Sequence, residues 1–376
     1  MIDATGLQFR EKVALALDAM GRINRCGSHP RFFQQMGILV RLRDTDDGGL
    51  RVEPLRPDAL RGEIARAANW VCTTAQGRNP IDPPAAISRD ILALPKWDFP
   101  RLRRIATTPY FNRSGRLVAT PGYEGSDGVL LDLPPGLVVG EVPPKPSSVD
   151  VDRARRLITE ELFVDFPFAT ASDEAHAVGA LLYPFVRELI DSPPPLHVID
   201  APAPGTGKGL LAQAIVLVST GAVPGVVAEK DDNDELRKTI TALLVEGASI
   251  VVIDNVSRKL GQVSLAALLT ARTWRDRLLG KSKTVEVPNR TLWIVTGNNV
   301  AMNDEMARRS VRIRLDAGVE EPWHRQGFRH DPFWSGQANI AVNSSGRLLF
   351  LWPIGSPEER SHSRSARWGV SKHGRG

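Results

Sequence analysis

The segment Ala201-Pro-Ala-Pro-Gly-Thr-Gly-Lys-Gly209 limits what this chain can fold into more than any other stretch. It follows the apolar run Leu196-His-Val-Ile-Asp200, which reads as a strand, and precedes Leu210–Val218, which reads as a helix. A strand, a glycine-rich turn and a helix in that order form a cradle for phosphate: glycines let backbone N–H groups turn inward, and the helix N-terminus adds positive potential. The expected phosphate-binding residues are Pro204, Gly205, Thr206, Gly207, Lys208, Gly209 and Leu210, with the Lys208 ammonium reaching the β- and γ-phosphates. The strict pattern has Gly where Pro202 stands and Ser or Thr where Gly209 stands, so a plain glycine-rich turn is the alternative.

A loop of this kind needs a parallel sheet around it, and the sequence supplies one. Ser249-Ile-Val-Val-Ile-Asp254 and Thr291-Leu-Trp-Ile-Val-Thr296 are continuous apolar runs, suited to strands buried on both faces, with helical stretches between them. Helices are expected over about Val151–Leu162 and Asp173–Ile190, the latter with Val178, Leu181, Leu182, Phe185 and Leu189 inward and a kink at Pro184. The fold class is α/β, a parallel sheet flanked by helices. Ahead of it, Phe9, Val13, Leu17 and Met20 mark one helical face, Leu60, Ile64, Ala68 and Val71 a second, and Pro109–Tyr123 reads as a hairpin. Residues 1–133 are therefore expected to form an α+β accessory domain, 134–148 a Pro-rich linker, 149–328 the main domain and 329–376 a basic tail.

Composition narrows the class. With 42% hydrophobic and 24% charged residues over 376 positions there is material for two cores, and no run is long and apolar enough for a membrane span, so the expected location is cytoplasmic. Cys26 and Cys72 are the only cysteines and form no C-x-x-C pair, which excludes a disulfide framework and a zinc ribbon. The net charge of +5 sits almost wholly from Arg329 onward, where seven Lys or Arg face three acids, so bulk charge argues for no DNA-binding body. That tail ends in Ser-, Arg- and Gly-rich sequence and is expected to be disordered, from truncation or a frame shift, with a natural basic tail as the alternative.

Two further elements carry chemistry. Asp254 ends an apolar strand one helix after the loop, the place of the carboxylate that holds Mg²⁺ in P-loop ATPases; a turn Asp-Asn at a strand end is the alternative. Leu292-Trp-Ile-Val-Thr-Gly-Asn-Asn299 is a strand ending in amides, followed by Asp304-Glu-Met-Ala-Arg-Arg-Ser-Val-Arg-Ile-Arg-Leu-Asp316. In this order the elements resemble the AAA+ ATPases, particularly the superfamily 3-like helicase ATPases found with primases in phages and mobile elements. The resemblance covers approximately Val149–Arg329; residues 1–133 are only loosely similar to accessory regions of such proteins. It implies a P-loop fold with ATP and Mg²⁺ as cofactors, and a sensor role for Asn298 or Asn299 in orienting the attacking water. It implies that Arg309, or Arg308, reaches the γ-phosphate of a neighbouring subunit, and hence a homo-oligomeric ring. It also makes Thr273–Arg290 a hairpin projecting into the ring's pore, with Arg277, Lys281 and Lys283 touching single-stranded DNA backbone; a basic surface loop is the other reading. A primase or other replication protein is the implied further partner.

The chain departs from active members of that family at two positions. Gly209 replaces the hydroxyl that ligates Mg²⁺, and Asn255 replaces an acid that polarises water; Asn255 can orient a water but cannot take its proton. Glu229, Glu246 and Asp304 are the candidate substitutes. Three readings follow: a DNA-associated motor ATPase, a nucleotide-binding switch or decayed ATPase with little hydrolysis, and a protein-remodelling AAA+ ATPase, for which an aromatic pore loop is expected instead of a Lys-rich hairpin.

Overall fold

Apolar, β-branched runs flanked by helical segments can bury both faces only in the middle of a layered α/β structure, and the observed sheet is of that kind. In the computed structural model, five strands lie in the spatial order Val226–Ala228, Ile250–Val256, Leu292–Asn298, Leu196–Ala201, Ser310–Arg314, and every neighbouring pair is parallel. The structure describes residues 1–329 apart from 47, 135, 136, 138, 141, 144, 222–224, 231 and 278–283. The basic tail and its expected disorder therefore lie outside the described residues, Arg329 aside.

Leu196–Ala201 is buried at all six positions, which a strand tolerates only with helices on both sides. On one face, Leu196, Val198, Val251, Ile253, Trp293 and Val295, spaced by two, meet Leu236, Ile240 and Leu244, spaced by four, from the helix Asn233–Glu246. The helices Lys208–Thr220 and Ala171–Val186 pack on one another and against strands of the sheet. Asp232 and Thr170 cap Asn233–Glu246 and Ala171–Val186 with side-chain oxygens, each satisfying an N–H that a helix start leaves free.

The helix holding Pro184 ends sooner than its spacing predicts, at Val186, followed by a single 3₁₀ turn Arg187–Leu189. Pro184 removes one helical hydrogen bond, and Leu182 and Leu189 end up exposed instead of inward. Val71, expected on a helical face, belongs to the strand Trp70–Thr74, because the preceding helix stops at Ala67 and Trp70 and Val71 pair with Ile2 and Asp3.

Before the sheet, the helices Phe9–Cys26, Pro57–Ala67 and Ala85–Ala93 enclose a core of their own that includes Met20, Phe32, Leu60, Ile64, Ile87 and Ile91. The strands Phe32–Gln35 and Ile38–Asp44 form a hairpin whose two-residue turn is Met36–Gly37, with φ of 48° and 71°. Two positive φ values match the twist that a tight hairpin requires. The Met36 side chain packs against the core of the parallel sheet.

The contacts divide the chain into two units, Met1–Pro134 with Phe166–His324, and Pro135–Asp165 with the chain from Arg325. The first gathers the N-terminal elements and the parallel sheet into one unit. In the second, the helix Ser148–Arg156 continues as a π-helical turn Leu157–Leu162, and Arg329 pairs with Glu161 at 2.7 Å. No helix among the described residues is long and apolar enough to cross a membrane.

Candidate functional site

Because all five strands run the same way, their carboxyl ends share one edge of the sheet. The chain leaves Leu196–Ala201 toward Val226–Ala228 on one side and later crosses to Ser310–Arg314 on the other, so the strand order reverses around the first strand. In open α/β sheets the crevice at such a reversal is where ligands bind. The loop Pro202–Gly207 emerges there.

Within the loop, Gly205 and Gly207 have φ of 74° and 101°, values that a side chain strains to adopt. A Cβ on Gly205 would come within 2.9 Å of the Trp323 Cβ, so the close approach adds a second requirement for glycine. Thr206 is buried, and its hydroxyl donates to the Ala203 carbonyl at 2.7 Å. The Lys208 ammonium donates to the same carbonyl at 3.1 Å, and the helix begins at Lys208 itself. Burial pushes the Lys208 ammonium below its usual pKa, against the charges of Asp200 and Asp254, which favour its protonated form. Gly209 and Leu210 continue the first helical turn.

Asp254 and Asn255 form a bulge between Ile253 and Val256 in the pairing with the next strand. Asn255 has φ of 56° there, and its N–H donates at 2.9 Å to the hydroxyl of buried Thr296, which in turn donates to Asp254 Oδ1. The neighbouring strand thus orients the carboxylate. Asn298 lies opposite Ala201, the residue before the loop, and is exposed. Asn299, at φ of 48°, donates its N–H to the Ala201 carbonyl at 3.0 Å and its side-chain amide to the Pro202 carbonyl at 3.4 Å. The crowding that brings these strands together excludes a side chain at Gly297, where a Cβ would stand 2.7 Å from the Val256 carbonyl oxygen.

Two residues that the sequence reading passed over complete the edge. Asp200 is fully buried directly before the loop; its carboxylate accepts from the Val300 N–H at 2.9 Å and pairs with Arg314 at 2.7 Å. Arg314, at the carboxyl end of the last strand, also reaches Asn299 Oδ1 at 3.5 Å. A terminal Asp on an apolar strand and the alternation Arg312-Ile-Arg314 were the available signals.

The remaining candidates are placed elsewhere. Arg308 and Arg309 stand at the amino end of Ser310–Arg314: the Arg309 carbonyl accepts from the Leu196 N–H at 2.9 Å, at the start of the strand that ends in the loop. The strand separates them from the loop by about 17 Å. Arg309 is held to Glu305, at 2.7 Å through the carbonyl and 3.4 Å through the carboxylate, whereas Arg308 is exposed. Of the substitute acids, Glu246 ends its helix at the amino edge, while Glu229 follows Ala228, the partner of Asp254. Glu229 accepts from the Ser257 N–H and hydroxyl at 3.1 Å through one oxygen, and its other oxygen is buried with no hydrogen-bond partner. The strands Thr273–Arg277 and Thr284–Pro288 do form an antiparallel hairpin, anchored to the sheet's helix by Trp274 on Thr241 at 2.9 Å and Asp276 on Arg237 at 2.5 Å. Arg277 is exposed at its outer end; Lys281 and Lys283 lie outside the described residues.

The donor set speaks to Mg²⁺ directly. Asp254 is one oriented carboxylate, the Thr206 hydroxyl is turned to a carbonyl, and no group of three His, Cys, Asp or Glu gathers among the described residues. One carboxylate fits a Mg²⁺ that brings its own waters and phosphate oxygens, not a metal caged by protein alone.

No protein-family model matches the sequence, and no curated protein matches it. Among solved structures, the chain is similar to the A-form apo structure of the NrS-1 C-terminal region, with 14% identity, 89% of this chain and 71% of that chain covered, and a TM-score of 0.41. It is also similar to the X-ray structure of JCV helicase, with 14% identity over 42% of this chain and 44% of that chain, at a TM-score of 0.29.

Proposed function

We propose that the chain binds a nucleoside triphosphate, ATP, with its phosphates on Pro204–Leu210 and Lys208, and that it works as a DNA-associated, helicase-like motor ATPase. One observation carries the reading: the loop, Asp254 and the Asn298–Asn299 pair, drawn from three separate stretches of sequence, meet at the carboxyl edge of one parallel sheet. Lys208 exchanges its bond to the Ala203 carbonyl for phosphate oxygens. Asp254, held by Thr296, takes the side of the nucleotide where Mg²⁺ would supply charge neutralisation. Asn299, held between Ala201, Pro202 and Arg314, or the neighbouring Asn298, positions the attacking water.

Arg309 sits on the opposite edge, so it serves a phosphate only if a second copy places its own loop against that edge. A P-loop domain assembled as a homo-oligomeric ring supplies this arrangement. The hairpin bearing Arg277 is then the surface for single-stranded DNA, read through phosphates without regard to sequence.

A second reading, a nucleotide-binding switch with little hydrolysis, draws on Gly209 and on the left-handed backbone at Asn255. A glutamate there would adopt a conformation costing about 1 kcal/mol, so the bulge selects an amide over a general base. The deciding measurement is ATP binding and turnover, with and without single-stranded DNA, for the parent chain, Lys208→Ala and Asn255→Glu. The motor reading expects DNA-stimulated turnover that Lys208→Ala abolishes. Tight binding without turnover selects the switch, all the more if Asn255→Glu restores hydrolysis. No ATP binding by the parent chain overturns both.

A further inference from the structure

A second cluster of charge lies far from the loop. At the amino edge of the parallel sheet, where Ala248 and Thr291 begin their strands, a cavity of about 510 Å³ opens between the sheet and the N-terminal elements around Gln35–Gly37. Six cationic side chains line it against two acids, Glu188 and Glu286. Glu188 already serves three of them: one oxygen accepts from Arg103 at 3.1 Å and Arg290 at 2.9 Å, the other from Arg104 at 3.3 Å.

Arg187 is what this arithmetic leaves over. It is 95% buried by its 5% exposure, and neither Nε nor Nη1 has a hydrogen-bond partner; Arg104, at 7% exposure, has an unpartnered Nη2 as well. Burial and the neighbouring Arg104 charge push Arg187 down to about 9, so it remains charged at neutral pH. Arg103, Arg104, Arg187 and Arg290 thus gather around one buried carboxylate, with Arg290 also 3.6 Å from the exposed Asp191. Unpaired buried charge is strongly destabilising, and proteins that retain it normally hold a counter-ion against it.

We propose that this cavity is a binding site for a small phosphate-bearing ligand, held by the guanidinium groups of Arg187 and Arg104, which line it. Planar guanidinium forks match phosphate oxygens two at a time, a dianion offsets most of the excess positive charge, and the volume suits a ligand up to mononucleotide size. The site is separate from the Pro202–Gly209 loop and does not depend on the reading given to that loop.

The test is thermal unfolding of the full chain carrying Lys208→Ala, which sets the loop aside, with orthophosphate and with AMP as probes. At about ten times the dissociation constant, either probe is expected to raise the Tm by about 2 °C. Arg187→Met should match or exceed the parent's Tm without ligand, since it removes an unpaired buried charge, and should show no ligand-dependent rise. Arg187→Lys keeps the charge without the fork, covers the case in which the methionine variant does not fold, and should weaken binding at least about tenfold. A larger rise with AMP than with orthophosphate identifies a nucleotide ligand; an equal rise identifies the phosphate alone. No rise with either probe, an undiminished rise in both Arg187 variants, or a rise given only by a single-stranded oligonucleotide overturns the proposal.

Discussion

The two edges of the parallel sheet handle polar groups in opposite ways. At the carboxyl edge, the Asp200–Arg314 pair apart, Lys208, Asp254 and Asn299 are each tied to a backbone carbonyl or a neighbouring hydroxyl, while Asn255, Asn298 and the outer face of the loop stay open to solvent. At the amino edge, Arg104, Arg187, Glu188 and Arg290 are withdrawn from water and balanced mainly against one another. Orienting a polar group with neutral partners costs little and leaves its charge available to a ligand. Burying charges makes each dependent on the rest. The exposed groups of the carboxyl edge can therefore be altered without unfolding the protein, whereas the buried cluster of the amino edge cannot.

The largest test of that contrast joins the edges across subunits. In a preparation that hydrolyses ATP, Arg309→Ala is expected to lower turnover about 1,000-fold with ATP affinity unchanged within about twofold. Mixing it with Lys208→Ala should restore part of the activity, because each variant supplies what the other lacks; steady-state hydrolysis at varied ratios reads this out, and no recovery at any ratio counts against action in trans. Next, Glu188→Gln removes the one carboxylate that three arginines share and is expected to cost about 4 kcal/mol in urea denaturation. A loss below about 1 kcal/mol would show that the amino edge is not interdependent as described.

His197 gives a smaller effect with a definite sign. Burial within the first strand lowers its pKa from 6.5 to about 4. Between those values the unfolded chain binds the proton and the folded chain does not, so stability is complete above about pH 6.5 and falls as pH drops toward 4. The loss amounts to about 3 kcal/mol, and His197→Leu should flatten that part of the stability–pH curve. Smallest is Gly297→Ala, expected to cost about 2 kcal/mol, because the added Cβ forces apart the strands carrying Asp254 and Asn298. ATP affinity in that variant should fall with stability, whereas Glu188→Gln should leave affinity in the surviving folded protein unchanged.

The apolar runs and the glycine-rich turn were enough to place the three central strands and the helix after the loop, because burial on both faces leaves a continuous signal. Position along a strand then decided which edge each candidate reached: Asp254 and Asn298 end their strands, while Arg309 precedes one. What the sequence hid was long-range pairing. Nothing local marks Thr296 as the partner of Asp254, Arg314 as the partner of Asp200, or Glu188 as the hub of Arg103, Arg104 and Arg290, residues separated by tens of positions and joined only by strand register and packing. The left-handed backbone at Asn255 and Asn299 was equally silent, although at Asn255 it favours an amide where the resemblance leads one to expect an acid.

The Met36–Gly37 turn bears on how such a protein can be taken apart. Its methionine packs, half-buried, against the core of the sheet, so the N-terminal elements act as a cover and not as a detachable cassette. A truncation beginning near residue 149 would open that part of the core to water and strip Arg103 and Arg104 from Glu188. A chimera that replaces the N-terminal elements must bring both a plug of matching shape and a surface that tolerates buried cations.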